Sequence, residues 1–301
     1  MRRFWVLGLA ALIVGAGAVA AYAVVGRHSD PPAAAATHHH TGPLRIRKWM
    51  LASHHHARSR PPGGYGHRHS PVPVLSEGSH GAAVVRLQQL LASQGYLPVS
   101  FHPSGPRPLY PWAPRPGRLA VRYSSVPGLA SEWRTGQFGT ITKGAVMTFQ
   151  AQHGLPVDGV AGAQVWHALE RPGARHNPDG YVNAVVRETL PESITIYRNG
   201  RPVFSSPANT GIAQAPTAQG TFPVYLRYTS TTMSGTNPDG SHYSDPGVPW
   251  VSYFNGGDAV HGFLRGSYGS PQSLGCVELP YSTAEQAYQL MNYGTLVTVT
   301  T

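Results

Sequence analysis

Cysteine is almost absent: Cys276 is the only one in 301 residues. No intramolecular disulfide can form, and a CxxC zinc or redox motif is excluded. Charge is scarce too. Only 12% of residues are Asp, Glu, Lys or Arg, about half the ordinary share. That excludes a long charged coiled coil and a chain held open by its own repulsion. Acidic residues are missing above all from the front. Residues 1–75 hold nine Lys or Arg against one acid, 76–175 nine against four, and 176–301 five against eight. The formal charge of +10 therefore belongs to the front of the chain, and nothing in the back half favours a nucleic-acid partner.

What is plentiful is glycine and proline, 35 and 28 residues, somewhat above their usual share. The length has room for two cores plus chain that belongs to neither. An uncharged run from Phe4 to Val25 follows Arg2 and Arg3. As helix it would reach about 33 Å, enough to cross a hydrocarbon core of about 30 Å. It is longer than the apolar stretch of a cleavable signal, although Ala18-Val19-Ala20 offers a small-residue cleavage site. Residues 1–27 are read as a membrane anchor with its N-terminus in the cytoplasm, so the rest of the chain faces outward. If they are cleaved, the protein is secreted. Residues 28–73 hold nine of the sixteen histidines, together with Pro31-Pro32 and Pro61-Pro62. With no apolar periodicity to bury, they read as a solvated, disordered linker rather than as a metal site.

Periodicity begins at Leu75. Val84, Leu87, Leu90 and Leu91 recur at helical spacing and Gly95 stops them. Val146 and Phe149 repeat the pattern before Gly154, and Val165, Trp166 and Leu169 mark a third helix. Leu97-Pro98-Val99 and Leu155-Pro156-Val157 follow the first two copies, and Asp158-Gly159 and Gly162 come before the third helix. These residues resemble a helical peptidoglycan-binding domain over about 74–175, interrupted by a Pro-rich insert at 100–134. From Asn183 the period changes to two. Ile194 and Ile196 alternate with polar neighbours, and Asn199-Gly200 predicts a two-residue hairpin turn. Phe222, Val224, Leu226 and Tyr228 read as one strand, Thr283–Asn292 as a helix, and Leu296–Thr300 as a last strand.

The lone thiol is open to two readings, an inert buried group or a nucleophile that needs a base to become thiolate. Ala259-Val260-His261-Gly262-Phe263 is followed, fifteen positions after His261, by Cys276 within Ser273-Leu274-Gly275-Cys276-Val277-Glu278-Leu279. His-Gly, a spacer, then Ser-x-Gly-Cys-Val resembles the catalytic motif of the L,D-transpeptidases, which cross-link bacterial peptidoglycan. Ala215–Phe222 and Gly294–Val299 are similar to that family's Thr-Pro-x-Gly-x-Phe segment and closing strand. The resemblance covers 183–301.

It implies a mainly-β, sandwich-like catalytic domain, so that with the membrane helix and the three-helix bundle read above the chain is an α+β multidomain protein. It makes Cys276 the nucleophile and His261 its base, with the Gly262 carbonyl orienting the imidazole. Ser273, Gly275 and the Cys276 amide would line the oxyanion site, and Tyr243, on an expected lid loop that also holds His242, would contact substrate. It implies no metal or other cofactor. The partners it implies are stem peptides and glycan strands of peptidoglycan; the apolar N-terminal run adds the membrane, reached through that helix. Two positions depart from the commoner Ser-His-Gly-Cys-Ile-Arg form: Leu274 replaces its His and Glu278 its Arg. The expected reaction transfers the acyl group of a stem tetrapeptide to an amine. An L,D-carboxypeptidase and a catalytically dead wall-binding protein are the alternatives.

Overall fold

The computed structural model describes residues 72–174 and 176–301. The expected anchor over 1–27 and most of the linker lie outside them. Among the described residues no helix is long and apolar enough to cross a membrane.

The three helices expected from periodicity are present: α1 (Ala82–Ser93), α3 (Thr140–Gln152) and α4 (Ala163–Glu170). Leu87 and Leu91 of α1 meet Phe149 of α3 and Trp166 of α4 in one apolar core. Gly95 and Gly154 take φ of +79° and +64° just past α1 and α3, the backbone a residue without Cβ adopts at little cost. The Pro-rich insert has structure of its own. Strands β1 (Val99–Pro103) and β2 (Gly117–Val121) pair antiparallel, and a short α2 (Leu129–Glu132) follows.

The β part begins with β3 (Val182–Arg187), β4 (Ser193–Arg198) and β5 (Arg201–Pro207). The β4–β5 turn is Asn199-Gly200 with φ of +52° and +76°, as the two-residue hairpin requires. Next come β6 (Gly220–Pro223), β7 (Leu226–Thr236), β8 (His242–Asn255), β9 (Asp258–Gly262), β10 (Val277–Leu279), helix α5 (Tyr281–Leu290) and β11 (Leu296–Thr300). They form a five-stranded sheet ordered β5-β4-β3-β11-β6 and a four-stranded sheet ordered β10-β9-β8-β7. The expected single strand over 222–228 is corrected. Its alternation is real, but the chain leaves one sheet at Pro223 and enters the other at Leu226. The residues expected to form a lid loop, 237–243, are the turn and first strand residues of a long hairpin, β7 against β8.

Ala184, Val186, Ile194, Val297 and Val299 face Phe254, Val260, Val277 and Leu279 across the space between the sheets, with Ala284 and Ala287 of α5 alongside. The other face of the five-stranded sheet is covered as well, because Val185 and Leu296 belong to the helical core. A strand buried on both faces reads as an unbroken apolar run, which is why β3 shows no alternation. The join is close. Gly144 of α3 lies so near Gly294 that a Cβ there would stand 2.6 Å from the Gly294 carbonyl. Thr148 Oγ1 donates to the Tyr293 carbonyl at 3.0 Å.

Candidate active site

The chemistry follows from the pairing of two short strands. β9 and β10 run parallel with Val260 opposite Val277 and His261 opposite Glu278. Both valines face the inter-sheet core. Alternation along each strand therefore turns His261, and with it Cys276 and Glu278, to the opposite face. Cys276 packs there beside Val248, Val251 and Ala259. Tyr243, His261 and Cys276 all line one cavity of about 350 Å³, shared with Asp245, Arg265, Leu274 and Glu278.

His261 is 3% exposed, and its Nδ1 lies 3.1 Å from the Gly262 carbonyl. A carbonyl only accepts, so Nδ1 carries the proton and Nε2 is left as the acceptor. Burial lowers the imidazole's pKa below its ordinary 6.5, opposed in part by that hydrogen bond. Burial pushes the Cys276 thiol up to about 12, while a backbone hydrogen bond from Ala259 opposes the shift. The pair at rest is thus thiol and neutral imidazole. A proton must leave sulfur as it attacks.

The residues expected around the oxyanion are engaged differently. Ser273 Oγ donates to the Cys276 carbonyl at 2.6 Å, and the Gly275 N–H donates to Ser273 Oγ at 3.2 Å. Both groups are spent holding the turn that presents the thiol. Gly275 has φ of +112°, and a Cβ on it would sit 2.4 Å from Asp258 Oδ1. Asp258 Oδ2 in turn accepts from the Ala218 N–H at 3.2 Å, so the carboxylate that borders the thiol turn is held by segment 215–222. Burial raises the pKa of Asp258. His242 stands apart, exposed on the hairpin with its Nδ1 3.3 Å from Thr236 Oγ1.

Sequence reasoning missed three residues. Asp245 lies two positions beyond Tyr243, on the same strand face. Asp258 carries no local signal, because its importance comes from a glycine seventeen positions later. Arg265 forms a bidentate pair with Glu278, Nε to Oε2 and Nη2 to Oε1, each at 2.7 Å. Among the described residues no group of three His, Cys, Asp or Glu side chains is placed to hold a metal ion.

Residues 183–299 match the L,D-transpeptidase catalytic domain family, and 123–169 match the family described as "Putative peptidoglycan binding domain". The second match starts well after Leu75, although α1 shares its core. Among solved structures, the chain is similar to an L,D-transpeptidase from Mycobacterium smegmatis. The two are 24% identical over 40% of this chain and 58% of that one, with a TM-score of 0.36. It is also similar to the catalytic domain of an Enterococcus faecium L,D-transpeptidase, at 25% identity over 40% and 96%, with a TM-score of 0.37. A third is L,D-transpeptidase 3 from Mycobacterium tuberculosis, at 21% identity over 40% and 61%, with a TM-score of 0.36. The chain thus spans little more than half the length of the M. smegmatis protein. Among curated proteins none matches. The chain carries a peptidoglycan-binding domain followed by an L,D-transpeptidase catalytic domain.

Proposed function

We propose that the protein is a peptidoglycan L,D-transpeptidase that works outside the cytoplasmic membrane, tethered there by residues 1–27. The observation that carries this reading is the placement of His261 on β9 and of Cys276 immediately before its parallel partner β10, both lining one cavity. The imidazole already spends Nδ1–H on the Gly262 carbonyl.

Cys276 Sγ attacks the carbonyl carbon of the third residue of a stem tetrapeptide while Nε2 of His261 takes the thiol proton. The Cys276 N–H donates to the oxyanion, and Ser273 and Gly275 hold the turn that aims it. The C–N bond to the terminal residue breaks, and the imidazolium returns its proton to the departing amine. An amine of a second stem then attacks the thioester, releases a proton to His261 and restores the thiol. Leu274 cannot take a proton, so His261 serves alone. Tyr243 borders the substrate on the hairpin side. The helical part, packed on the outer face of the five-stranded sheet, binds the wall polymer.

The test is incubation with stem tetrapeptide and mass spectrometry of the products. A cross-linked dimer supports transfer. Tripeptide alone means that water takes the acyl group, an L,D-carboxypeptidase, and unchanged tetrapeptide means a binding protein.

A further inference from the structure

The Pro-rich insert sends two apolar side chains into solvent. Leu109 is 98% exposed and Tyr110 68%, while the large residues on either side are put away. Trp112 meets Trp166 edge-on with ring centres 5.8 Å apart, and Phe101 and Leu119 pack against the helical core. A single exposed leucine would mean little. Two neighbours turned outward together, on a segment that covers its other large side chains, form a tip.

The tip is stiff. Pro106, Pro108, Pro111 and Pro114 fix φ along it. The Ala113 N–H donates to the Tyr110 carbonyl at 3.1 Å, and Arg115 Nε to the Gly105 carbonyl at 2.7 Å. Gln89 of α1, itself buried, bonds both backbone groups of Arg115 at 2.8 Å. Arg86 Nε donates to the Pro111 carbonyl at 2.9 Å. A segment held in this way loses little freedom when it docks.

Charge gathers beside it. Arg107, two residues before Leu109, and Arg86, bonded to Pro111, both line a cleft of about 680 Å³ between α1, the insert and the end of α4. Arg115 and Arg171 line it too, and Glu170 is the only acid among the lining residues. Glu170 lies 3.5 Å from Arg86 Nη2. Burial lowers the pKa of Arg86, Glu170 opposes the shift, and repulsion from Arg107 and Arg115 adds to it. The cations therefore stand within one another's field. Arg107 and Arg171 are exposed, and among the described residues neither has an ion-pair partner. Anions complement such a cleft. A partner that also takes up Leu109 and Tyr110 needs an apolar layer beside its anions. A bilayer interface offers both, whereas an anionic glycan offers only the first.

We propose that residues 108–111 and the arginine cleft form a docking surface for an anionic phospholipid bilayer. Leu109 and Tyr110 enter the interface, and Arg107 and Arg171 take lipid phosphates. The contact is separate from the expected anchor over 1–27 and does not rest on the transpeptidase reading.

The two main apolar cores and the contacts that hold the tip all lie within residues 72–301, in one compact unit. A chain starting at residue 66 therefore keeps the fold and lacks the expected anchor. It is floated with vesicles of phosphatidylcholine, with or without an equal part of phosphatidylglycerol. The expected result is binding to the anionic vesicles alone, weakened by salt. Leu109→Ser with Tyr110→Ser should weaken it at least about tenfold, the scale of one buried apolar side chain. Arg107→Gln with Arg171→Gln should weaken it about 25-fold, at about fivefold per arginine near the surface. Arg187→Gln with Arg201→Gln removes equal charge from the five-stranded sheet and should change binding less than about threefold. In the full chain, reconstituted into nanodiscs of the same two compositions, amide exchange over residues 105–118 should slow on the anionic lipid only.

Equal flotation with both kinds of vesicle, or none with either, would overturn the proposal. So would exchange that ignores lipid charge, or binding that survives the Leu109 and Tyr110 substitutions. A loss as large with Arg187 and Arg201 would overturn it too, since diffuse charge would then account for the binding. Sedimentation with purified cell wall that the tip variants abolish, with flotation unchanged, would give this surface to a wall polymer instead. Acylation by a soluble penem should be unchanged in every variant, so the proposal and the transpeptidase reading fail separately.

Discussion

Gly275→Ala would show whether the thiol turn is as tightly set as the structure implies. A Cβ at this position would stand 2.4 Å from Asp258 Oδ1, where ordinary contact begins at 3.4 Å. The turn or the carboxylate must therefore give way by about 1 Å, the size of displacement that can cost roughly 10²-fold in a reacting geometry. Asp258 is not free to yield without loss, since its other oxygen holds the Ala218 N–H. The φ of +112° adds backbone strain, on the order of 1–3 kcal/mol for a residue with a side chain. The assay is the rate of acyl-enzyme formation with a penem-type β-lactam, followed by intact-protein mass. The expected loss is about 100-fold. Adding Asp258→Ala removes the collision and leaves the strain, so the double variant should recover about tenfold. A Gly275→Ala protein that acylates within about threefold of wild type would refute the reasoning.

Three further outcomes are expected. Alkylation of Cys276 by neutral iodoacetamide should be slow at pH 7 and still rising past pH 10, because the thiol is pushed up to about 12; a plateau near neutrality would mean a preformed thiolate. Acylation by peptide should instead persist as pH falls below 6.5 and fail only as His261 protonates at its depressed pKa, and His261→Ala should cost roughly 10²–10⁴-fold, with no comparable gain from Leu274→His. Gly144→Ala should destabilise by about 1–3 kcal/mol, although alanine ordinarily stabilises a helix interior by about 1 kcal/mol over glycine. The reason is that its Cβ would stand 2.6 Å from the Gly294 carbonyl and 2.8 Å from Leu296 Cδ2, and a raised denaturation midpoint would show that the helical part is not packed as described.

Much of the fold was legible because local period and turn chemistry agree with tertiary burial. The α1 pattern ends at Gly95, and the hairpin pivots on Asn199-Gly200. The sheet change between Pro223 and Leu226 was not legible, since period-two alternation continues through Val224 whichever sheet receives it. Nor was the structured insert, whose β1–β2 pair lacks a strong alternating pattern. In the site, Cys276 and His261 announced themselves by wording. Their shared face comes from strand register, which no residue spacing states. Glu278 read alone as a reversed charge. Its meaning depended on Arg265, thirteen positions away, brought to it by the loop after β9.

The central claim is that Cys276 carries the acyl group. Wild-type protein and Cys276→Ala are incubated with stem tetrapeptide, quenched in acid and weighed intact, with the released terminal residue quantified. The account predicts a tripeptidyl adduct on wild type alone, matched by release of the terminal residue, and neither in Cys276→Ala. Release of that residue by Cys276→Ala at the wild-type rate, or an adduct that maps to another side chain, would contradict it.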